Sequence, residues 1–192
     1  MSRRVAMISE HASPLAVLGG VDSGGQNVYV GKLAQNLAAM GYQVDIFTRR
    51  DNQLLPETLE WLDGVRVVHV PAGPPSFVRK EELLPHISAF TDFVVRFCRR
   101  QRPRYDICHA NFWMSGLVAT ELKRALGLPF VVTFHALGRV RRLHQRAADE
   151  FPDERMAIED RIVAEADHII AECPQDEDDL IRLYNAPPAR VT

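Results

Sequence analysis

Residues 4–50 read RVAMISEHASPLAVLGGVDSGGQNVYVGKLAQNLAAMGYQVDIFTRR. Two short apolar runs, over 5–8 and 44–47, flank a segment in which Val30, Leu33, Ala34, Leu37 and Ala38 recur at the spacing of one buried helix face. That spacing predicts a helix over 26–40, ended by Gly41 in the left-handed conformation that glycine adopts without steric cost. Strand, helix, strand is the unit from which parallel sheets are built, because parallel neighbours must be joined by a crossover.

The alternation continues along the chain. Further strands are predicted over 65–70, 106–109, 130–134 and 168–171, and further helices over 85–100, 115–126, 155–166 and 174–184. In the second helix Ile87, Phe90, Val94 and Phe97 form the inner face, while Arg96, Arg99, Arg100 and Arg102 gather where the helix dipole favours cations. Gly127 stops the third helix. Pro174 opens the last one, with Gln175, Asp176 and Glu177 in its first turn. After Tyr184 the chain turns and begins what reads as another strand, as at a domain boundary.

The chain has 192 residues, a length that suits one domain, and 46% apolar with 25% charged residues is an ordinary globular composition. Lysine and arginine number 23 against 25 aspartates and glutamates, so the net charge of −2 argues against nucleic acid or an anionic membrane as the main partner. Cys98, Cys108 and Cys173 have neither disulfide nor zinc-knuckle spacing, which predicts a reducing, cytoplasmic setting. No run of about 18 apolar residues is present, so no transmembrane segment is expected.

In an open α/β sheet, ligands bind beyond the carboxyl ends of the strands. The first such loop, over 9–25, is much longer than an ordinary βα connection and carries Gly19, Gly20, Gly24 and Gly25 before running into a helix. Glycines let backbone approach a ligand, and a helix start favours phosphate. The pattern is neither a Walker A loop, since Gly31 and Lys32 lie within the helix, nor a dinucleotide fingerprint. His109, Asn111 and His135 follow later strands, and His109, His135 and Cys173 lack metal-ligand spacing, so no metal is expected. Arg139, Arg141, Arg142, His144 and Arg146 read either as a solvated face or as an anion-attracting rim.

The ordered motifs Gly19-Gly20-Val21-Asp22-Ser23-Gly24-Gly25-Gln26-Asn27-Val28-Tyr29-Val30, Lys80-Glu81-Glu82-Leu83, His109-Ala110-Asn111-Phe112-Trp113-Met114-Ser115-Gly116, Thr133-Phe134-His135-Ala136-Leu137-Gly138 and Cys173-Pro174-Gln175 resemble retaining glycosyltransferases of GT-B fold. The likeness is to the branch of sucrose and inositol-phosphate enzymes, and it spans nearly the whole chain. It implies an α/β, Rossmann-like, doubly wound and mostly parallel sheet with helices on both faces, one half of a GT-B fold. Residues 1–192 then form the amino-terminal acceptor-binding domain, without the donor-binding carboxyl-terminal domain. The resemblance further implies a nucleotide-diphosphate sugar as donor substrate, no required cofactor, and a phosphorylated sugar or polyol as acceptor.

By the same resemblance Gly24, Gly25 and Asn27 face the diphosphate and His135 is the catalytic contact to the transferred sugar. His11, Lys80, His109, Phe112, Ala136 and Arg155 form the acceptor site, with Lys80 and Arg155 on the phosphate. Phe112 and Ala136 depart from the pattern, standing where related enzymes carry hydroxyl side chains. The full-length protein is expected to be a glycosyltransferase and this chain alone inactive. The alternatives are a stand-alone sugar-phosphate or nucleotide-binding module and, against the glycine pattern, a nicotinamide-dependent oxidoreductase.

Overall fold

A computed structural model describes residues 3–16 and 24–192, so Gly19 and Gly20 of the first loop lie outside the described residues. In chain order the elements are β1 (Arg4–Ile8), α1 (Gly25–Ala39), β2 (Gln43–Arg49), β3 (Thr58–Leu62), β4 (Val65–Val70), α2 (Ile87–Arg100), β5 (Ile107–Asn111), α3 (Trp113–Leu126), β6 (Phe130–Thr133), α4 (Gly138–Gln145), α5 (Glu154–Glu165), β7 (His168–Ile170) and α6 (Pro174–Tyr184). Among the described residues the strands make one seven-stranded sheet in the order β3-β4-β2-β1-β5-β6-β7. Every pairing is parallel except that of β3 with β4. This is the parallel α/β sheet expected from the alternation of strands and helices, in the Rossmann-like form that the resemblance implies.

β1 reads Arg-Val-Ala-Met-Ile and is buried throughout, so its two faces must both be covered. Val5 and Met7 point to one side, where α1 contributes Val30 and Ala34. Ala6 and Ile8 point to the other, into a larger core with Phe90 of α2, Val118 of α3 and Ile162 of α5. The two-residue strand period and the helical period thus meet on each face. Gly41 and Gly127 take positive φ after α1 and α3, as their positions in sequence predict.

Two elements escape the apolar pattern. β3 is an edge strand of mostly exposed residues, and polar exposure erases the alternation that marks a strand. Its signal is instead Asp63-Gly64, a two-residue turn with Gly64 at φ 76° that returns Leu62 onto Val65. α4 is the arginine-rich stretch after His135, a short helix rather than a loop. The anticipated strand after Tyr184 is reduced to a single parallel bridge between Val191 and Ile169.

α3 and α5 pack closely at Gly116, where an added Cβ would stand 2.8 Å from Ile162 Cδ1. Gly116→Val is expected to overpack this contact and cost about 1–3 kcal/mol. An unchanged urea midpoint would contradict it. His109 on β5 is 5% exposed, with Nε2 2.9 Å from Thr133 Oγ1 on β6. Burial, and secondarily the nearby His135, pulls this imidazole down to about 4. The unfolded chain therefore binds the proton more readily, and stability is lost as pH falls from about 6.5 to 4, by roughly 3 kcal/mol. His109→Asn should flatten that part of the stability–pH curve measured by denaturant titration; an unaltered slope would assign the loss to other groups.

Candidate functional site

β1 has β2 on one side and β5 on the other, so the chain order reverses there and a crevice opens beyond the carboxyl ends of these strands. Into it run Glu10 and His11 after β1, Phe112 after β5, His135 after β6, Glu172 after β7 and the start of α1. All of these except Glu10 border a cavity of about 790 Å³. Of the residues predicted for the site, His11, Gly24, Gly25, Asn27, Lys80, Phe112, His135, Ala136 and Arg155 all line this cavity. His109 does not; it is a buried inter-strand residue behind the site.

Gly24 is the N-cap of α1 and supplies no side chain to occupy the first-turn N–H groups. Its own N–H donates to Asn27 Oδ1 at 3.1 Å, and Asn27 Nδ2 donates to the carbonyl of Ser13 at 2.8 Å. Asn27 therefore braces the turn rather than reaching outward. A Cβ added at Gly24 or Gly25 would meet no atom of the described residues within 4 Å. Packing does not demand glycine at these exposed positions; the missing side chains leave the helix start open to the cavity.

Backbone strain marks the next two positions. Phe112 has φ 80° and ψ 160°, and His135 has φ 59°. Such conformations cost roughly 1–3 kcal/mol each in a non-glycine residue and cluster at functional sites. Nδ1 of His135 lies 2.9 Å from Glu172 Oε1, and Nε2 lies 3.1 Å from Asn111 Oδ1. Tyr29 stands edge-on to the ring at 4.9 Å. The imidazole is thus fixed on three sides at the mouth of β6.

Arg155 is fully buried, which removes the solvated-charge reading of this residue. Its Nε donates to Glu159 at 2.7 Å and Nη2 to the carbonyl of Ala136 at 2.6 Å. The guanidinium also lies over Phe112, Trp113 and Phe151, at 5.2, 5.7 and 4.6 Å from the ring centroids. Nη1 is buried without a partner among the described residues. Glu159 in turn receives the N–H of Gly138 and, at 2.5 Å, the hydroxyl of Tyr184.

The anion-attracting rim is smaller than the basic sequence suggested. Arg139 pairs with Asp160, Arg141 with Asp149 and Arg142 with Asp153, so α4 is largely neutralised. Arg141 alone of that stretch lines the cavity. At the opposite end of the sheet, a second cavity of about 480 Å³ contains Arg4, Asp45 and Arg66, which pair with one another. Self-compensated charge of this kind leaves little for a ligand.

Sequence reasoning missed Glu10, Glu172 and Ser115. Nothing in spacing separates them from other polar residues, although Glu10 and Glu172 each fall within two residues of a strand end. Two cysteines are held as neutral thiols: burial pushes Cys98 up to about 12, and Cys108 higher than usual for the same reason.

Comparison with known proteins places this geometry. The chain is 40% identical over its whole length to D-inositol 3-phosphate glycosyltransferase 2 of Catenulispora acidiphila, and 38% identical to D-inositol 3-phosphate glycosyltransferase of Corynebacterium diphtheriae. In both cases it spans 45% of the relative's length. Among solved structures it is similar to sucrose-phosphate synthase from Thermosynechococcus elongatus, with TM-score 0.88 and 31% identity over 94% of this chain and 45% of that one. The fold is therefore that of one Rossmann-like half of a GT-B glycosyltransferase, and no described helix is long and apolar enough to cross a membrane. The description "glycosyl transferase 4-like domain" matches residues 24–192, and the chain belongs to that family.

Proposed function

We propose that this chain is the acceptor-binding domain of a retaining glycosyltransferase that moves a sugar from a nucleotide-diphosphate sugar to a phosphorylated sugar or polyol. The observation that carries this reading is the single cavity that gathers the open α1 start, His135 and the cations Lys80, Arg141 and Arg155. The donor site is completed by a second domain outside this sequence, consistent with the length of the relatives. No cofactor is required in this reading.

The chemistry asks for two things. Two substrates must be held in register, and negative charge growing on the departing diphosphate must be stabilised. N–H groups at the α1 start, uncapped by side chains among the described residues, serve the second need through fixed dipoles that need no reorganisation. His135, immobilised by Glu172 and Asn111, contacts the transferred sugar from the acceptor half. No pair of carboxylates faces across this cavity among the described residues, since Glu172 is its one lining acid, and a hydrolase-type acid and nucleophile find no support.

For the acceptor, the names of the relatives point to an inositol phosphate, and the cations explain how one is held. A charge-assisted hydrogen bond contributes about 1.5–3 kcal/mol, against about 0.5–1.5 for each neutral hydroxyl contact forgone at Phe112 and Ala136. Charge outweighs the missing hydroxyls. Arg155 is held in place by Glu159 and the Ala136 carbonyl before a ligand arrives, so its charge acts on the cavity it lines at little cost in side-chain entropy.

Calorimetric titration of the chain should show D-inositol 3-phosphate bound in preference to free inositol, with Lys80→Ala weakening the phosphate form roughly 10- to 100-fold. Equal affinity for the two would remove the phosphate site. In a protein carrying both domains, Gly25→Ala should leave the unfolding midpoint unchanged or slightly raised, because its Cβ is unopposed. The same change should cut kcat/KM for the nucleotide sugar at least tenfold, about 1.4 kcal/mol. Wild-type kinetics in that variant would move the diphosphate away from the helix start.

A further inference from the structure

Glu10 follows β1 and is a carboxylate only 1% exposed, a placement that is costly unless both oxygens are satisfied. They are. Oε2 accepts a close hydrogen bond from the hydroxyl of Ser115 in the first turn of α3, and Oε1 lies 2.6 Å from Nδ1 of His11. Ser115 is itself held, because its Oγ receives the Glu10 backbone N–H at 3.3 Å. An ionised carboxylate only accepts, so Nδ1 of His11 is the donor. In the neutral ring a proton on Nδ1 leaves the lone pair on Nε2.

His11 lines the cavity, its ring is steadied edge-on by Phe112 at 4.9 Å, and Nε2 has no hydrogen-bond partner among the described residues. Nor is Nε2 among the fully buried unpartnered atoms, so it is accessible. Serine, histidine and an acid together suggest a nucleophile, but the order is wrong for one: Ser115 bonds the carboxylate and not the imidazole. The group presented to the cavity is the histidine nitrogen.

We infer that Glu10 and Ser115 are positioning residues that lock His11 in the Nδ1–H tautomer, so that its bare Nε2 accepts a hydrogen bond from a hydroxyl of the sugar or polyol acceptor. This rests on the acceptor-site reading above and extends it to the hydroxyl side of the ligand. The α1 start, Lys80, Arg141 and Arg155 are all donors suited to phosphate oxygens. A polyol hydroxyl has a proton to give as well, and two nearby acceptors are already engaged, Asn27 Oδ1 by Gly24 and Glu172 Oε1 by His135. His11 supplies the complementary polarity, and a tautomer reversal would turn attraction into donor–donor conflict.

The tautomer is read on the 192-residue chain by two-bond 1H–15N correlation of the histidine rings at pH 8, which needs no ligand. His11 is expected as Nδ1–H. In Glu10→Gln, with the amide oxygen retained by Ser115, the amide nitrogen faces Nδ1 and the ring should switch to Nε2–H. Calorimetry with D-inositol 3-phosphate should then show affinity lowered at least tenfold by Glu10→Gln and by His11→Ala, with no further loss on combining them. An Nε2–H ring in the wild type overturns the relay, and so does unchanged affinity in His11→Ala; these two measurements stand even if Glu10→Gln does not fold. Absence of binding by the wild type overturns the acceptor reading and the role of Nε2 within it, while the wild-type tautomer still decides the lock itself.

Discussion

β1 is the constraint on which the remaining structure depends. It has a hydrogen-bonded neighbour on each edge and a packed layer on each face, so nothing can be inserted beside it and the chain can leave it only at its ends. At the carboxyl end it leaves into the crevice made by the reversal of strand order. Ser9, Glu10 and His11 are thereby delivered to the same place as Phe112, His135 and Glu172, which follow strands on the other side of the reversal. The α1 helix must return from this point to place β2 on the opposite edge, and its start therefore faces the same opening. A ligand site of converging backbone amides and imidazoles is thus a consequence of topology before any side chain is chosen for chemistry.

Buried charge then fixes the far wall. Arg155 and Glu159 are both fully buried, and an ion pair in that position costs desolvation that its attraction alone does not reliably offset. Additional partners offset much of this: Glu159 takes the Gly138 N–H and the Tyr184 hydroxyl, while Arg155 takes the Ala136 carbonyl and three aromatic faces. Four segments, the β6 exit, α4, α5 and α6, meet on this pair. Its geometric demands fix how they sit around the cavity, and the more exposed pairs of α4 with Asp153 and Asp160 contribute much less.

What was legible in the sequence follows from these forces. β1, α1 and β2 bury apolar residues at fixed periods, so Val5 to Ile8, Val30 to Ala38 and Val44 to Phe47 announce themselves. β3 buries almost nothing and was not read from the sequence; the Asp63-Gly64 turn is the local signal that could have marked it. The strand-end histidines were visible as a class, but spacing could not separate His135, which reaches the cavity, from His109, which bonds Thr133 within the sheet. One residue along a strand decides between the faces. Ion pairing was equally hidden: Arg139 and Asp160 are 21 residues apart, and no local pattern pairs them. Glu10 carries no periodic signal at all, since its partners come from the next residue and from Ser115, 105 residues on.

The departures at Phe112 and Ala136 acquire a physical meaning in this frame. Ala136 contributes its carbonyl to Arg155, a role that no side-chain hydroxyl is needed to fill. Phe112 stands between the two walls, with its ring against His11 on one side and under the Arg155 guanidinium on the other. Its strained backbone accompanies that position at the turn out of β5. An aromatic face without a hydroxyl offers a cation its quadrupole and an imidazole its packing surface, and it introduces no polar group that a ligand must satisfy. In the proposed reading, recognition is left to groups that are already oriented, namely the amides of the α1 start and the ring of His11, with the fixed charge of Arg155 beside them. A site built in this way discriminates by the placement of charge and lone pairs on the ligand, with the aromatic wall setting the distance between them.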